Sequence, residues 1–143
     1  MKIVSVLENK KVEKRISITP EIAKKYIAMG LEVSLSESYG EHLGFSDNEY
    51  KKLDVKISKD DNELIDNADV IVQLGLPAED KLHKISSGQS IIGVLNPYNN
   101  KSILDNLIKK KINLFSLELL PRITRAQSMD ILSSQANLAG YKA

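Results

Sequence analysis

The sequence predicts a single α/β domain that contains an open, mostly parallel β-sheet with helices on both faces. Short apolar runs rich in β-branched residues alternate with segments of about ten residues that carry helix-start signals, as in parallel sheets with crossover helices. One run, Asp69 to Leu74, is almost continuously apolar, which is typical of a strand covered on both faces. A length of 143 residues with 42% hydrophobic content suits one domain with one sizeable core.

Helix-start and helix-stop residues set the order of the predicted elements. Thr19 and Pro20 begin the first helix, and Gly30 should end it because Gly adopts a left-handed conformation at little cost. Ser46 stands three residues before Glu49, the spacing of a capping box, and begins a short second helix. The predicted strands are Lys2 to Leu7, Leu31 to Ser36, Val55 to Ile57, Asp69 to Leu74, Gln89 to Leu95 and Ile112 to Leu120. The further predicted helices are Asp60 to Asn67, Glu79 to Ile85 and Ile103 to Lys110, the last capped by Asn99 or Asn100. Such a three-layer arrangement is Rossmann-like or flavodoxin-like.

Composition argues against several classes of protein. The 20 basic and 19 acidic residues give a net charge of +1 and are spread along the chain, so no nucleic-acid-binding stripe is indicated. The absence of Cys excludes disulfides and thiolate metal sites, and His42 and His83 lack partners at metal-ligand spacing, so we expect both on the surface and no metal site. No apolar run approaches the roughly 18 residues of a membrane span. We expect a soluble, cytosol-facing chain without a signal peptide.

The polar stretch after the last predicted strand contains the largest group of candidate ligand-binding side chains in the chain. Within twelve positions it contains Arg122, Thr124, Arg125, Gln127, Ser128, Asp130 and Ser133. From Met129 on, apolar residues recur at helical spacing and leave Asp130, Ser133 and Asn137 on other faces. Open α/β sheets place ligand-binding groups where a polar loop opens a helix after a buried strand. The alternative is a solvated loop in which Asp130 or Ser128 only caps the helix.

Other candidate residues follow earlier strands. Asn96 and Pro97 either line the same crevice as the polar stretch or form a simple turn. Gln73 and Gly75 belong to the rim of that crevice but carry no titratable group. Arg15 lies in a run of charged residues that we interpret as solvated. Because no Gly-x-Gly-x-x-Gly opens a helix, these residues alone do not form a complete nucleotide pocket.

Three segments carry a resemblance to a known family. They are Arg15 to Glu21, Leu95 to Pro97 and, most specifically, Pro121 to Tyr141. Together they resemble the NAD(P) transhydrogenase alpha subunit, and the first segment is shared with alanine dehydrogenases. The resemblance covers essentially the whole chain. It implies that residues 1–143 are the amino-terminal half of the NAD(H)-binding component, with a Gly-rich dinucleotide domain expected after Tyr141. The position of Ala143 within the last predicted helix agrees with this expectation of a larger protein.

The resemblance also implies an activity and its binding residues. The family transfers hydride between NAD(H) and NADP(H), coupled in the complete membrane complex to proton translocation. The loop that contacts the nicotinamide end of NAD(H) in this family is matched here by Arg122, Gln127, Asp130 and Ser133. The resemblance implies that these residues bind the cofactor and that none of them acts as a catalytic acid or base. NAD(H) would be held together with the missing following domain, and NADP(H) by a partner component. A membrane component, a homodimer of the full-length subunit, and a place on the cytoplasmic or matrix side of the inner membrane are implied as well.

Two alternatives stay open. One is the N-terminal domain of an alanine-dehydrogenase-like amino acid dehydrogenase. Those enzymes are expected to use a Lys near position 75 and a His near position 96, where this sequence has Gly75 and Asn96. Arg15 alone does not supply both a proton acceptor and a cation for the substrate carboxylate. The other alternative is a non-catalytic α/β interaction module.

Overall fold

The computed structural model describes residues 1–142 of the chain. The strands in that range are β1 (Lys2–Ser5), β2 (Glu32–Ser36), β3 (Lys56–Ser58), β4 (Val70–Val72), β5 (Ser90–Gly93) and β6 (Asn113–Ser116). The α-helices are α1 (Pro20–Ala28), α2 (Asp47–Lys51), α3 (Asp61–Asp66), α4 (Glu79–Leu82), α5 (Lys101–Lys109) and α6 (Ile131–Lys142). Short 3₁₀ segments occur at Glu41–Leu43, Leu117–Leu119 and Thr124–Met129.

The strands form one parallel sheet in the order β3-β2-β1-β4-β5-β6. β1 pairs with β2 on one side, where Ile3 lies opposite Val33, and with β4 on the other, where Val4 lies opposite Ile71. In chain order, β2 and β3 therefore extend the sheet on one side of β1. The chain then crosses to the other side of β1, where β4, β5 and β6 extend the sheet to the opposite edge. This order is that of Rossmann-like sheets, and it puts the topological switch point between β1 and β4. The predicted open, parallel α/β sheet is confirmed.

Helices cover both faces of the sheet, and each face has its own apolar core. Because side chains alternate along a strand, Ile3 belongs to the core under α1 and α2, whereas the next residue, Val4, belongs to the core under α3, α4 and α5. The first core contains the buried residues Ile3, Ile18, Ala23, Val33, Leu35, Tyr39, Tyr50 and Val55. The second core includes Val4, Leu64, Ile65, Ile71, Leu82, Ile91, Leu104 and Leu107. Burial on two faces explains why the strands appear in the sequence as apolar runs.

Local side-chain caps begin the first helices as the sequence predicts. The hydroxyl of Thr19 accepts a hydrogen bond of 3.4 Å from the backbone of the first turn, and Pro20 is the first residue of α1. Gly30 follows the end of α1 with a φ of +80°, a conformation that favours glycine. The hydroxyl of Ser46 accepts the backbone N–H of Glu49 at 3.3 Å and so caps α2. These three boundaries depend on residues close in sequence, which is why they are predictable.

Two predicted boundaries near the carboxyl end of the described range are wrong. The strand predicted over Ile112 to Leu120 ends at Ser116, because its partner β5 ends at the paired residue Gly93. The next three residues form a 3₁₀ segment instead. The last helix begins at Ile131 rather than at Met129, which belongs to the preceding 3₁₀ segment.

Two further features of the helices differ from simple expectation. Asn100 precedes α5 but does not cap it, because its side-chain N–H donates to the carbonyl oxygen of Leu95 at 2.9 Å. The apolar stripe predicted on the last helix is exposed: no described residue of α6 is buried, and Leu132 keeps 51% of its surface in solvent. The expectation that Ala143 lies within a helix concerns a residue outside the described range. Among the helices of residues 1–142, none combines the length and the hydropathy that a membrane crossing requires.

Candidate functional site

The chain between β6 and α6 forms the predicted site. It leaves β6 through a 3₁₀ turn, passes Pro121, and forms a second 3₁₀ segment at Thr124–Met129 before α6 begins. Ala126 is buried in this segment, with 5% of its surface exposed, whereas its neighbours on both sides are exposed. One small apolar side chain therefore anchors a turn whose polar side chains remain available at the surface. The predicted loop is thus a 3₁₀ helix for half of its length.

The four residues predicted to bind a ligand line one cavity of about 240 Å³. These are Arg122, Gln127, Asp130 and Ser133. Leu117, Leu120 and Ile123 give the same cavity an apolar side, so it combines a few polar groups with a hydrophobic wall. Arg125, which belongs to the same polar stretch in sequence, is not among the lining residues. The assignment of the four residues to a cofactor stays a prediction.

Asp130 and Ser133 form the capping turn at the start of α6. Oδ1 of Asp130 accepts the backbone N–H groups of Leu132 and Ser133, both at 3.0 Å, and Oδ2 accepts the Ser133 hydroxyl at 2.6 Å. The hydroxyl bond, followed by the backbone bonds and the charge of Arg122, lowers the pKa of Asp130. The carboxylate is therefore ionised at neutral pH. It caps the helix, as the alternative interpretation of the sequence holds, and it also lines the cavity.

Glu118 is a lining residue that sequence reasoning missed. The strand predicted over Ile112 to Leu120 includes it, but β6 ends before it and its side chain reaches the cavity. Its Oε1 accepts the backbone N–H of Asn96 at 2.5 Å, whereas its Oε2 is buried without a hydrogen-bond partner. A buried carboxylate oxygen without a partner is rare and calls for a functional or solvent explanation. The available signal was a charged residue inside an otherwise apolar run directly before the polar stretch.

Asn96 forms a turn rather than a wall of this cavity. Its φ is +49°, and its carbonyl oxygen accepts the backbone N–H groups of Asn99 and Asn100 at 3.1 and 3.0 Å. The turn interpretation of Asn96 and Pro97 is therefore correct. Asn96 still contributes to the site indirectly, since its backbone N–H fixes one oxygen of Glu118.

Gln73 and Gly75 line a second crevice of about 360 Å³ at the carboxyl ends of β1 and β4. This crevice also includes Glu8 and Glu13, and it shares no lining residue with the first cavity. Gln73 and Gly75 therefore line a different cavity from the polar stretch, and the expectation that both belong to one ligand crevice stays a prediction. β4 lies at the switch point in the middle of the sheet, whereas the polar stretch follows the edge strand β6.

Buried polar groups organise the floor of this switch-point crevice. Oε1 of Gln73 accepts the hydroxyl of Ser5 and the backbone N–H of Val6, both at 2.9 Å. Oε1 of Glu8 accepts the backbone N–H of Leu74 at 2.6 Å and the side-chain N–H of Gln73 at 3.3 Å. Burial is the largest influence on Glu8 and raises its pKa. Glu8 is not among the candidates of the sequence analysis, although its place directly after the predicted strand Lys2 to Leu7 is a signal for this edge of the sheet.

The remaining candidates lie at the surface. Arg15 forms an ion pair of 2.7 Å with Glu13, and its side chain is 53% exposed. His42 and His83 are exposed, as predicted. Within residues 1–142, no group of three or more His, Cys, Asp or Glu side chains is arranged to hold a metal ion.

Comparison with known proteins gives a consistent set of relatives. The first portion of NAD(P) transhydrogenase subunit alpha from Rickettsia prowazekii is 40% identical over 100% of this chain, which spans 38% of that relative. The corresponding portion of the subunit from Rhodospirillum rubrum is 37% identical, with the same shares of the two chains covered. The crystal structure of transhydrogenase from Sinorhizobium meliloti matches 99% of this chain and 42% of its own, with a TM-score of 0.89 and 35% identity.

Alanine dehydrogenases are more distant relatives. The enzyme of Halomonas elongata is 26% identical over 100% of this chain. A solved L-alanine dehydrogenase structure has a TM-score of 0.76 over 82% of this chain at 17% identity, which is a likeness of fold. The family described as Alanine dehydrogenase/PNT, N-terminal domain matches residues 5–139. These matches confirm the resemblance predicted from Pro121 to Tyr141, and the chain belongs to the family of alanine dehydrogenase/PNT N-terminal domains.

Proposed function

We propose that this chain forms one wall of the NAD(H) cleft of an NAD(P) transhydrogenase, on the nicotinamide side. The observation that carries the proposal is the shared cavity lined by Arg122, Gln127, Asp130 and Ser133. The names of the relatives at 40% and 37% identity support the choice of transhydrogenase over other dinucleotide enzymes. Because the chain spans 38% of those relatives, the activity is proposed for the assembled protein and not for these residues alone.

The chemistry of the cavity suits a planar amide such as the nicotinamide carboxamide. The Arg122 guanidinium and the Gln127 amide N–H can donate hydrogen bonds to the oxygen of such an amide, and the ionised Asp130 can accept one from its NH₂ group. The bound dinucleotide would supply the hydride-carrying ring, so the protein has to fix its orientation. Orientation is what such a transfer needs most, since the donor and acceptor carbons must be held close and aligned.

The alanine dehydrogenase alternative is less well supported. Oxidation of an amino acid requires a group that takes up a proton, which a direct hydride transfer between two nicotinamide rings does not. Gly75 brings no side chain to the switch-point crevice, and Asn96 lies in a turn outside both cavities. Arg15, the remaining expected cation, is paired with Glu13. No specific contact within residues 1–142 favours the interaction-module alternative.

The proposal extends to cofactors and partners. NAD(H) is held between this chain and a following dinucleotide domain, and NADP(H) is bound by a partner component. A membrane component couples hydride transfer to proton translocation, the full-length subunit is a homodimer, and the assembly lies on the cytoplasmic or matrix side of the inner membrane. The names of the relatives, which designate one portion of an alpha subunit, support the presence of further components. We expect these 143 residues alone to be inactive and to bind NADH weakly or not at all, because they contribute one wall of the cleft.

A chimera tests the proposal. This chain replaces the matched segment of the Rhodospirillum rubrum relative, and circular dichroism confirms that the chimera folds. Hydride transfer from NADPH to a spectroscopically distinct NAD⁺ analogue is then measured together with the other components of that transhydrogenase. Transfer is expected, with no L-alanine-dependent reduction of NAD⁺. Reduction of NAD⁺ by L-alanine, or a folded chimera without hydride transfer, would overturn the proposal.

A further inference from the structure

Helix α6 is not held in place by burial of apolar surface. Its first residue, Ile131, is half-buried, and every later residue up to Lys142 is exposed. Leu138 and Tyr141 keep 61% and 90% of their surfaces in solvent. Most of the stability of a protein helix comes from packing of an apolar face, which α6 lacks in the described chain. Some other contact has to set the direction in which α6 leaves its capping turn.

One hydrogen bond joins the middle of α6 to the scaffold. Nη1 of Arg15 donates to Oε1 of Gln135 at 2.8 Å, across 120 residues of sequence. Within residues 131–142, the other side-chain hydrogen bonds stay inside the helix and its capping turn, as Ser134 to the carbonyl of Ile131 illustrates. Among the described residues of α6, Gln135 therefore makes the long-range side-chain hydrogen bond to the scaffold.

Glu13 fixes the orientation of the guanidinium that makes this bond. Its Oε1 accepts Nε of Arg15 at 2.8 Å and its Oε2 accepts Nη2 at 2.7 Å, which occupies one side of the planar fork. Oε1 also accepts the backbone N–H of Arg15 at 2.9 Å. The bond to Arg15 lowers the pKa of Glu13 to about 2, so the pair is charged throughout the physiological range. Nη1, on the open side of the fork, is left directed at Gln135.

The position of Gln135 connects this bond to the candidate site. Gln135 lies two residues after Ser133, which closes the capping turn with Asp130 and lines the cavity. Because one turn of an α-helix is rigid, the position of Gln135 also determines the position of Ser133. The exposed Arg15 and Glu13 pair contributes little to stability in itself, because solvent screens it. Its effect is on the position of α6 and not on the free energy of unfolding.

We propose that Arg15 is a positioning residue for NAD(H) binding, and that it acts through Gln135 to hold α6 and its capping turn in register with the cavity. The inference rests on the proposed function. In this role Arg15 uses one N–H each of Nε, Nη1 and Nη2 to bind Glu13 and Gln135, and no contact with a substrate carboxylate is required.

The test measures the NADH affinity of the chimera by fluorescence, with four variants of Arg15 and Gln135 and one control variant. Arg15→Gln and Gln135→Leu each remove the bond, and the affinity is expected to fall on the order of threefold to tenfold in each. The double variant is expected to be no weaker than the weaker single one, because both changes break the same link. Gln135→Glu retains an oxygen acceptor and should bind NADH as the parent does. Lys14→Gln removes a neighbouring exposed charge and is the matched control.

Several results would overturn the inference. Additive losses in the double variant, or a loss for Arg15→Gln with Gln135→Leu unchanged, would mean that Arg15 does not act through Gln135. Parent-like affinity in all variants would mean that the link has no positioning role. Amide hydrogen exchange of residues 131–142 in the 143-residue chain provides an independent readout and is expected to be faster in Arg15→Gln than in the parent. A parent chimera that binds no NADH contradicts the proposed function. In that case the hydrogen-exchange rates still show whether the bond between Arg15 and Gln135 restrains α6.

Discussion

The Ser133 hydroxyl donates a hydrogen bond of 2.6 Å to Oδ2 of Asp130, and both residues line the same cavity. The same Asp130 carboxylate therefore caps the start of α6 and lines the cavity. Its first oxygen caps the helix through backbone N–H groups, and its second is held by a side chain. The geometry of the cavity is therefore set by a local turn, which the scaffold then orients.

Ser133→Ala is expected to weaken NADH binding to the chimera by roughly threefold to tenfold, the cost of one net hydrogen bond at the site. Ser134→Ala is the matched control, since the Ser134 hydroxyl bonds to the carbonyl oxygen of Ile131 and does not line the cavity. Fluorescence titration measures both. Equal affinities for the two variants would contradict the assignment of Ser133 to the site.

Gly93→Ala is expected to destabilise the chain by about 1–3 kcal/mol or more, the range for overpacking a core. A β-carbon at position 93 in β5 would overlap the backbone carbonyl oxygen of Gln73, which directly follows the neighbouring strand β4 and bonds through its N–H to the carbonyl oxygen of Ile92. Gly75→Ala places its methyl group in open space and should change stability by less than about 0.5 kcal/mol. Urea unfolding distinguishes them. Similar stabilities would mean that β4 and β5 are less closely paired.

Tyr39→Phe is expected to cost about 1–3 kcal/mol of unfolding free energy, because it leaves buried partners without their bonds. The Tyr39 hydroxyl lies 2.8 Å from the hydroxyl of Ser5 and 3.0 Å from that of Ser17, and the side chain is fully buried. Tyr98→Phe is the control, since that side chain is 86% exposed. Chemical denaturation of both variants checks the prediction, and an unchanged midpoint for Tyr39→Phe would refute it.

Glu8 predicts a pH dependence of stability. Burial raises its pKa in the folded chain above the ordinary value of 4.5, so the folded state holds the proton more tightly than the unfolded state. Its contribution to stability is then greatest below pH 4.5 and is lost as pH rises through the folded pKa. Glu13, with a pKa lowered to about 2, acts in the opposite direction: its contribution to stability is fully present above pH 4.5 and is lost as pH falls from 4.5 towards 2.

Thermal unfolding of the parent and of Glu8→Gln between about pH 4 and pH 8 isolates the Glu8 contribution. The amide oxygen still accepts the backbone N–H of Leu74, so the variant should fold, and its stability should decline less with rising pH. Parallel pH profiles for the two proteins would show that Glu8 titrates normally.

The fold was largely predictable because its signals are local. Six apolar runs correspond to the six strands of residues 1–142, and Thr19, Gly30 and Ser46 mark helix boundaries through contacts with near neighbours. The strand order was not predictable, since connection rules limit the topologies without choosing one. The early end of β6 at Ser116 depends on where β5 ends, which is a relationship between strands and not a property of either sequence.

The residues of the candidate site also differ in whether the sequence alone predicts them. Arg122, Gln127, Asp130 and Ser133 lie within twelve positions, so their common cavity follows from one local turn and was visible in the sequence. Glu118 was hidden in a run that has the composition of a strand. The bond between Arg15 and Gln135 joins residues 120 positions apart and becomes visible only when the tertiary structure brings them together.

An NADH titration followed by fluorescence decides whether this chain supplies one wall of an NAD(H) cleft. The 143-residue chain alone is compared with the chimera that adds the rest of the Rhodospirillum rubrum relative. We expect saturable binding by the chimera, weakened by Gln127→Ala, and little or no binding by the chain alone. Equally tight binding by the chain alone would contradict this expectation, since a complete dinucleotide site would then lie within these residues.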